Sequence, residues 1–569
     1  MKDKEEFFAI LSEIDGQDLE AYQRLDGDFD FSRFVVRSSQ FRTPDEGASL
    51  FVIRVQQQVA GFPPELYNTP VRRTALEDLL TREVAAQLDD LARFDEDGVA
   101  RRQIQIARPG QSIVPRTTLT VNEEAVEARL YIQLPALQGR IAGEAAQQIF
   151  FQDLPEIVHH ALIHCNLDAQ GVEHFVGMME DADQIRRMLA TRGWVSFIGE
   201  NAFPARIPGT DEPDYALDAI ELPEALATTV EVSNSESQKG IGVPAGITVI
   251  LGETAHGRRD LVQALATGVY NHIPGDGREP IVTVPDAVYI SAVPDRSVQG
   301  LDLRAFLNEA EEDVDPGCYV SSQASLFASQ AAATVEALEI GAHVLLYDED
   351  DSAPGFLCHD ARLSGLLDGE RATVPLAARA RQMVEELGVS IVVGGAHRVA
   401  EFIPIADTVL RLRGCVLEDI TQEAKATAIA LAAEPPPPAD FSGLVEASRW
   451  LVPSSIDPGV GRAEVAIEAL DVRVLRFGRS IIDLTDTVQL GDRYQTSTIG
   501  LMLAYAKTRY MDEPRPLREL LDLLDRDLSS EGLDVLVRDL SGDLARPRRY
   551  EIAATLNRLD TLRVTRGQA

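Results

Sequence analysis

The sequence predicts a three-part chain. A central α/β domain (residues 161–435) is flanked by an N-terminal α+β domain (1–160) and a small C-terminal α+β domain (440–569). Three observations point to this. Short apolar runs alternate with amphipathic helical stretches through the middle of the chain, as in sheets whose strands are covered on both faces. The clearest are Ile247–Leu251 (ITVIL), Val344–Tyr347 (VLLY) and Val389–Val393 (VSIVV). Each ends in glycine or polar residues, and in open α/β sheets ligands sit at the carboxyl ends of the strands. Finally, the proline run Glu434–Pro438 cannot continue the helix expected over Thr421–Ala433 and reads as a stiff linker.

The flanking parts read differently. Ser49–Ala60 has strand composition, Thr74–Phe94 has helical spacing of apolar residues, and Thr117–Pro135 reads as two strands around a turn. Near the end, Glu464–Phe477 is strand-like, and Ser497–Tyr510 and Leu517–Leu528 are helical. No internal repeat is visible.

Composition narrows the function. The chain has 569 residues and is 45% hydrophobic, enough for more than one core. It carries 53 Lys and Arg against 91 Asp and Glu, a formal charge of -38. So acidic a surface repels phosphate backbones, which argues against sequence-independent nucleic-acid binding unless basic residues cluster locally. Arg546, Arg548 and Arg549 are the one candidate cluster. The four cysteines, Cys165, Cys318, Cys358 and Cys415, are dispersed, so neither a disulfide framework nor a zinc site is expected, and a reducing, cytoplasmic setting is. The first residues lack a signal peptide's apolar core, and no run approaches the roughly 18 apolar residues of a membrane span.

Two segments carry chemistry. Gly252–Leu261 (GETAHGRRDL) follows the ITVIL run and precedes a helix expected over Asp260–Tyr270. A phosphate-binding loop reads GxxxxGK[ST] in that setting: its N–H groups wrap phosphates, Lys reaches the β/γ oxygens, and the hydroxyl binds Mg²⁺. Gly252 and Gly257 keep the spacing, but Arg258 stands at the Lys position and Arg259 at the hydroxyl position. The segment also reads as a plain glycine turn entering a helix. The second segment, His343–Gly355 (HVLLYDEDDSAPG), is an apolar strand ending in Asp-Glu, a Walker B pattern. In that pattern Asp348 would hold Mg²⁺ and Glu349 would polarise the attacking water. An acidic strand end facing solvent is the plainer reading. His343 and His256 have no metal-ligand spacing with other ligands, and His397, which follows an apolar strand, reads as a surface-loop residue.

With these residues in view, the chain resembles the "predicted ATPases of the ABC class". The resemblance rests on Gly252, His256, Gly257 and Leu261 against a GGGxHGKSTLL loop; on Ala324, Ser325, Ser329 and Gln330 against an ASGSTSQAA signature; and on Asp348, Glu349, Asp350, Ser352, Ala353 and Phe356 against LLIDEDTSATNF. VYNHIPGDGRE (269–279), PGQSIVPRT (109–117) and Gly542–Leu559 are similar too. The resemblance implies an ABC-type P-loop domain at the centre, ATP and Mg²⁺ as cofactors, and a head-to-tail pair in which each signature covers the partner's phosphates. It implies Glu349 as the catalytic residue and Asp348 as the metal ligand. It implies Gly252, His256, Gly257, Arg258, Arg259, Ser325, Ser329 and Gln330 as the nucleotide-binding set. The departures fall on the same motifs: Arg258 for Lys, Arg259 for Ser, Asp260 for Thr, Leu326 and Phe327 for Gly and Ser, and Asp351 for Thr. Both halves of the composite site are altered.

Three functions follow as expectations. The first is a member that binds ATP weakly or not at all and acts as a scaffold or regulatory partner, paired with itself or with a related P-loop protein. The second is a slow ATPase using Arg258 in place of Lys. The third is a nucleic-acid-associated factor. Arg258 and Arg259 are expected to pair with Asp348, Glu349 or Asp350, which would otherwise repel one another.

Overall fold

A computed structural model describes residues 2–91, 93–94, 100–101, 103–308, 315–359, 373–428, 438–441, 449–461 and 464–566. The linker expected at Glu434–Pro438 lies outside the described residues except for Pro438. The described chain divides into two compact units. One comprises Met1–Glu180 with Ser530–Arg546, and the other Asp181–Ser529 with Pro547–Ala569.

In the first unit, α1 (Lys4–Ile14) starts at Asp3, whose carboxylate accepts the Glu6 N–H at 2.8 Å. The sheet contains β1 (Asp28–Asp30), β2 (Val35–Gln40) and β3 (Ser49–Gln56) in antiparallel sequence. The strand composition of Ser49–Ala60 ends early, because Gln57–Ala60 turns into a short helix. The helix expected over Thr74–Phe94 is α2, Pro70–Asp90. It begins sooner because Thr69 caps it and Pro70 fits a first turn that needs no N–H. The two strands expected in Thr117–Pro135 are β4 (Leu119–Val121) and β5 (Ala125–Ile132), paired antiparallel, with β5 also zipped along β3. A π-helical turn, Ile149–Asp153, leads into α3 (Leu154–Ala161). The returning segment is held by the buried Arg129, paired with Asp534 at 2.6 Å, and by Thr117 N–H on the Leu544 carbonyl at 3.0 Å.

The second unit is built on a six-stranded sheet. Its strands are β6 (Ile247–Leu251), β7 (Ala287–Tyr289), β8 (Val344–Asp348), β9 (Ser390–Gly395), β10 (Thr408–Arg413) and β11 (Val416–Asp419). The order is β7-β8-β9-β6-β10-β11, parallel except for the β10–β11 pair. The apolar runs are therefore covered on both faces, as their lack of alternation requires. Between β6 and β7 runs α4 (Arg258–Thr267), which buries Leu261, Val262, Leu265 and Ala266 against the sheet. The signature segment forms α5 (Leu326–Glu339) and the chain before β9 forms α6 (Leu376–Leu387). At the carboxyl end of this unit, three antiparallel strands spanning Ile467–Asp483 pack on α7 (Arg493–Tyr510). All four cysteines are free.

Candidate functional site

The register of the central sheet assembles the site. β9 lies between β6 and β8, with Leu251 opposite Gly395 and Asp348 opposite Gly394. The loop after β6 and the acidic end of β8 are thus brought to the same sheet edge, separated by one strand. Gly394 makes this crossing possible: a Cβ there would sit 2.8 Å from Asp348 Oδ2 and 2.7 Å from Val262. After β6, the chain makes a 3-10 turn over Thr254–His256, and Gly257 takes φ +81° with its N–H on the Thr254 carbonyl. The helix then starts at Arg258, two residues before the expected Asp260. The loop keeps the strand–glycine–helix order of a P-loop.

Arg258 fills the space between these elements. Its side chain is 0% exposed. Nη2 donates to Asp350 Oδ2 at 2.6 Å and to Thr254 Oγ1 at 2.8 Å, and Thr254 itself donates to Asp350. Nη1 lies 3.1 Å from Asp348 Oδ2 and 3.8 Å from Glu349 Oε1. Neither Nη1 nor Asp348 Oδ2 has a hydrogen-bond partner among the described residues, so these two contacts act through charge alone. Arg258 thus meets all three carboxylates expected for it. Arg259 turns elsewhere: it grips Asp351 in a two-pronged pair at 2.6 and 3.2 Å, and Tyr289 donates to the same carboxylate at 2.5 Å. Asp351 was not among the carboxylates expected for it. The two departures from the family pattern, Arg259 and Asp351, are therefore partners.

The carboxylates differ in state. Burial pushes Asp348 up to about 6, against the opposing charge of Arg258. Glu349 also feels burial, yet three backbone N–H donors and Arg258 hold it below the ordinary value. Those donors are Ala396, His397 and Arg398, at 2.7, 3.0 and 2.8 Å. Arg398 also donates to the Glu349 carbonyl. Asp350, likewise opposed by burial, is held down by Thr254 and Arg258.

The signature residues take internal roles. Ser325 caps α5 through the Ala328 N–H. Ser329 is buried and accepts the Val293 N–H at 2.9 Å. Gln330, also buried, donates to Ser352 at 2.9 Å and accepts from Ala353 at 2.8 Å, while Ser352 donates to the Asp348 carbonyl. Ser329 and Gln330 thus brace the chain around the acidic turn and offer no exposed group to a nucleotide. Phe327 is 9% exposed and packs edge-on against Phe356, whereas Leu326 is 41% exposed. His256 lies in the loop turn, and His397 is an exposed loop residue 3.6 Å from Glu253. No group of three or more His, Cys, Asp or Glu among the described residues could hold a metal ion. The basic cluster is not free either. Arg548 pairs with Glu551 and donates to two carbonyls, Arg549 pairs with Asp522 and Asp525, and Arg546 has a partner of its own.

With this geometry in place, comparisons with known proteins are decisive for the family. Residues 4–165 match the N-terminal domain of the ATPases of the ABC class, and residues 168–440 match the P-loop domain named ABC ATPase. This chain belongs to the family of ABC-class ATPases. Residues 466–565 match the family described as the MRB1590 C-terminal domain. Uncharacterized protein MJ1628 of Methanocaldococcus jannaschii is 26% identical over 220 residues, which is 37% of this chain and 48% of that protein. The chain thus spans about half the length of the curated relative it matches. A solved structure of cbiO1 from Clostridium perfringens, described as part of the ABC transporter complex cbiONQ, is 13% identical. It covers 41% of this chain and 91% of its own, with a TM-score of 0.26, too low to carry a structural argument.

An ABC-class P-loop domain binds nucleotide and Mg²⁺ as a family property. The residues here do not fit that group. The hydroxyl that would ligate Mg²⁺ is replaced by Arg259, whose guanidinium cannot ligate a cation and is committed to Asp351. Asp348, the expected metal ligand, is buried beside a guanidinium. Glu349, the expected catalytic residue, has both carboxylate oxygens engaged by backbone N–H groups. Sequence reading missed Thr254, Tyr289, Gly394 and the three N–H donors after β9. Its one usable signal was the Gly-Gly pair closing the VSIVV run. Among the described residues, no helix is long and apolar enough to cross a membrane.

Proposed function

We propose that this ABC-class protein does not hydrolyse ATP at its P-loop and acts as a scaffold or regulatory partner. The observation that carries the reading is the fully buried Arg258, which lies among Asp348, Glu349 and Asp350 and supplies from within the positive charge that Mg²⁺ and Lys supply in a working site. Asp260, in the first turn of α4, adds negative charge where an anionic ligand would dock. The intact Glu349, held ionised, favours the rival reading of a slow ATPase. Its engagement by three N–H groups weighs against that role. The internal pairing of Arg548 and Arg549 removes the local support for a nucleic-acid factor. The exposed Leu326 supports pairing, through the face at the start of α5, with a second copy or a related P-loop chain.

The test is a Mg²⁺-ATPase assay with calorimetric titration of ATP. The wild type is expected to show no turnover. The triple variant Arg258→Lys, Arg259→Ser, Asp351→Thr removes the Arg259–Asp351 pair and puts the shorter-reaching ammonium and the hydroxyl back in the loop, and is expected to bind ATP where the wild type does not. Wild-type turnover of about 1 s⁻¹, abolished by Glu349→Gln, would overturn the reading.

A further inference from the structure

We propose that the N-terminal unit binds a small organic anion with an apolar body, in a groove between the start of α1, the turn after β1 and helix α3. The groove has a volume of about 610 Å³, within the range of small-molecule sites. It is separate from the P-loop site and does not depend on what that site does.

Its floor is aromatic. Phe31 and Phe34 stack with centroids 5.2 Å apart and planes at 18°. Their turn is held by Ser32, a non-glycine residue at φ +71°, whose N–H bonds to Asp30 at 2.7 Å. This brings both rings to one side and leaves Arg33 exposed between them. Phe151 joins them from the π-helical turn, 5.3 Å from Phe31. Such turns cost regular hydrogen bonding and occur often at functional sites. The exposed Phe8 meets Phe151 edge-on at 5.3 Å.

Its rim is made of donors. Lys4, Arg33, His159 and His160 line the groove, against one carboxylate, Glu156. Neither Lys4 nor Arg33 makes an ion pair or side-chain hydrogen bond with any described residue, although the chain has 91 acidic residues to offer. His159 is set as a donor by its neighbour. Asn166 Nδ2 donates to the His159 carbonyl at 2.7 Å, which fixes the amide, and also lies 3.0 Å from His159 Nδ1. Nδ1 must then accept, so the neutral ring carries its hydrogen on Nε2. Cations that hold no partner in so acidic a chain, over an apolar floor, suit a ligand with a carboxylate, sulfonate or phosphate on an apolar or aromatic body.

The test uses the full chain and the fluorescent anion anilinonaphthalene sulfonate, with AMP and laurate as competitors that represent the two sources of this chemistry. Saturable binding at one site is expected, with the Kd raised about tenfold or more by the double variant Lys4→Glu, Arg33→Glu. Arg187→Glu, which makes the same kind of charge change on a side chain 69% exposed in the other unit, is the control. Unchanged melting temperatures establish that the variants are folded. Displacement by AMP alone assigns a nucleotide-like ligand, and displacement by laurate alone assigns an acyl anion. Equal affinity in wild type and double variant, equal weakening by the control, or displacement by neither competitor would overturn the proposal.

Discussion

Arg258 and Arg33 are the same side chain in opposite surroundings. Arg258 is fully buried and shared among Asp348, Glu349 and Asp350, so its charge is consumed inside the protein. Arg33 is exposed, has no charge partner among the described residues and is set beside an aromatic floor, so its charge is available to something else. A motif search weights the first residue and ignores the second. A binding role follows from what a cation is left free to do, whatever motif contains it. A guanidinium that has already replaced water with carboxylates gains little by meeting a phosphate, whereas an unpaired one over an apolar surface gains both contacts at once.

The largest effect is expected at Arg258. Arg258→Met leaves the buried Asp348 without a counter-charge, and losing one partner of a buried pair costs about 3–5 kcal/mol. A large drop in the melting transition of the P-loop unit is expected, partly recovered by adding Asp348→Asn. No drop would mean that Arg258 is not holding the site together.

Next in size is a pH effect. The Asp348 carboxyl is raised from 3.8 to about 6, so what it contributes to stability is full below the lower value and is lost as pH rises through the upper one. Asparagine does not titrate. The melting temperature of Asp348→Asn relative to wild type should therefore climb between those two pH values and level off above. Glu349 and Asp350 are shifted the opposite way, so what they contribute is lost only as pH falls below their ordinary values, at or beneath the acid end of that window. A gap independent of pH would remove Asp348 as a strained carboxylate.

Leu326→Glu probes the pairing face. Burying such a side chain is worth roughly 1.5–3 kcal/mol, so a wild-type dimer in light scattering should shift to monomer in the variant. A dimer that survives the change uses another surface. The smallest effect belongs to Arg33: Arg33→Glu should change stability by no more than about 0.5 kcal/mol, as at an ordinary surface site, while weakening the organic anion. A large loss of stability would show that Arg33 is structural and would sink the contrast with Arg258.

Much of the fold is legible in local pattern. The runs ITVIL, VLLY and VSIVV become β6, β8 and β9 because continuous apolar strands are stable only between two covering layers. Boundaries moved where capping intervened, as at Thr69 and Pro70, where the helix starts before its apolar periodicity does. The site was legible as two segments and their departures. Pairing Arg259 with Asp351 was not legible because both are departures from the family pattern, and only the packed loop and strand end decide which carboxylate each of two adjacent arginines reaches. The signature match was legible and still misleading about exposure: Ser329 and Gln330 fit the pattern, yet packing buries both.

The sequence by itself determined the family, the strand–glycine–helix order of the P-loop, and the loss of its Lys and hydroxyl, because each of these is written in consecutive residues. Only the tertiary structure decided that Arg258 is buried among Asp348, Glu349 and Asp350, that Glu349 accepts from the N–H groups after β9, and that Lys4 and Arg33 have no charge partner among the described residues. The reason is physical. Whether a charge is neutralised depends on which groups the sheet register and loop packing bring within about 4 Å, and those groups come from positions far apart in the chain.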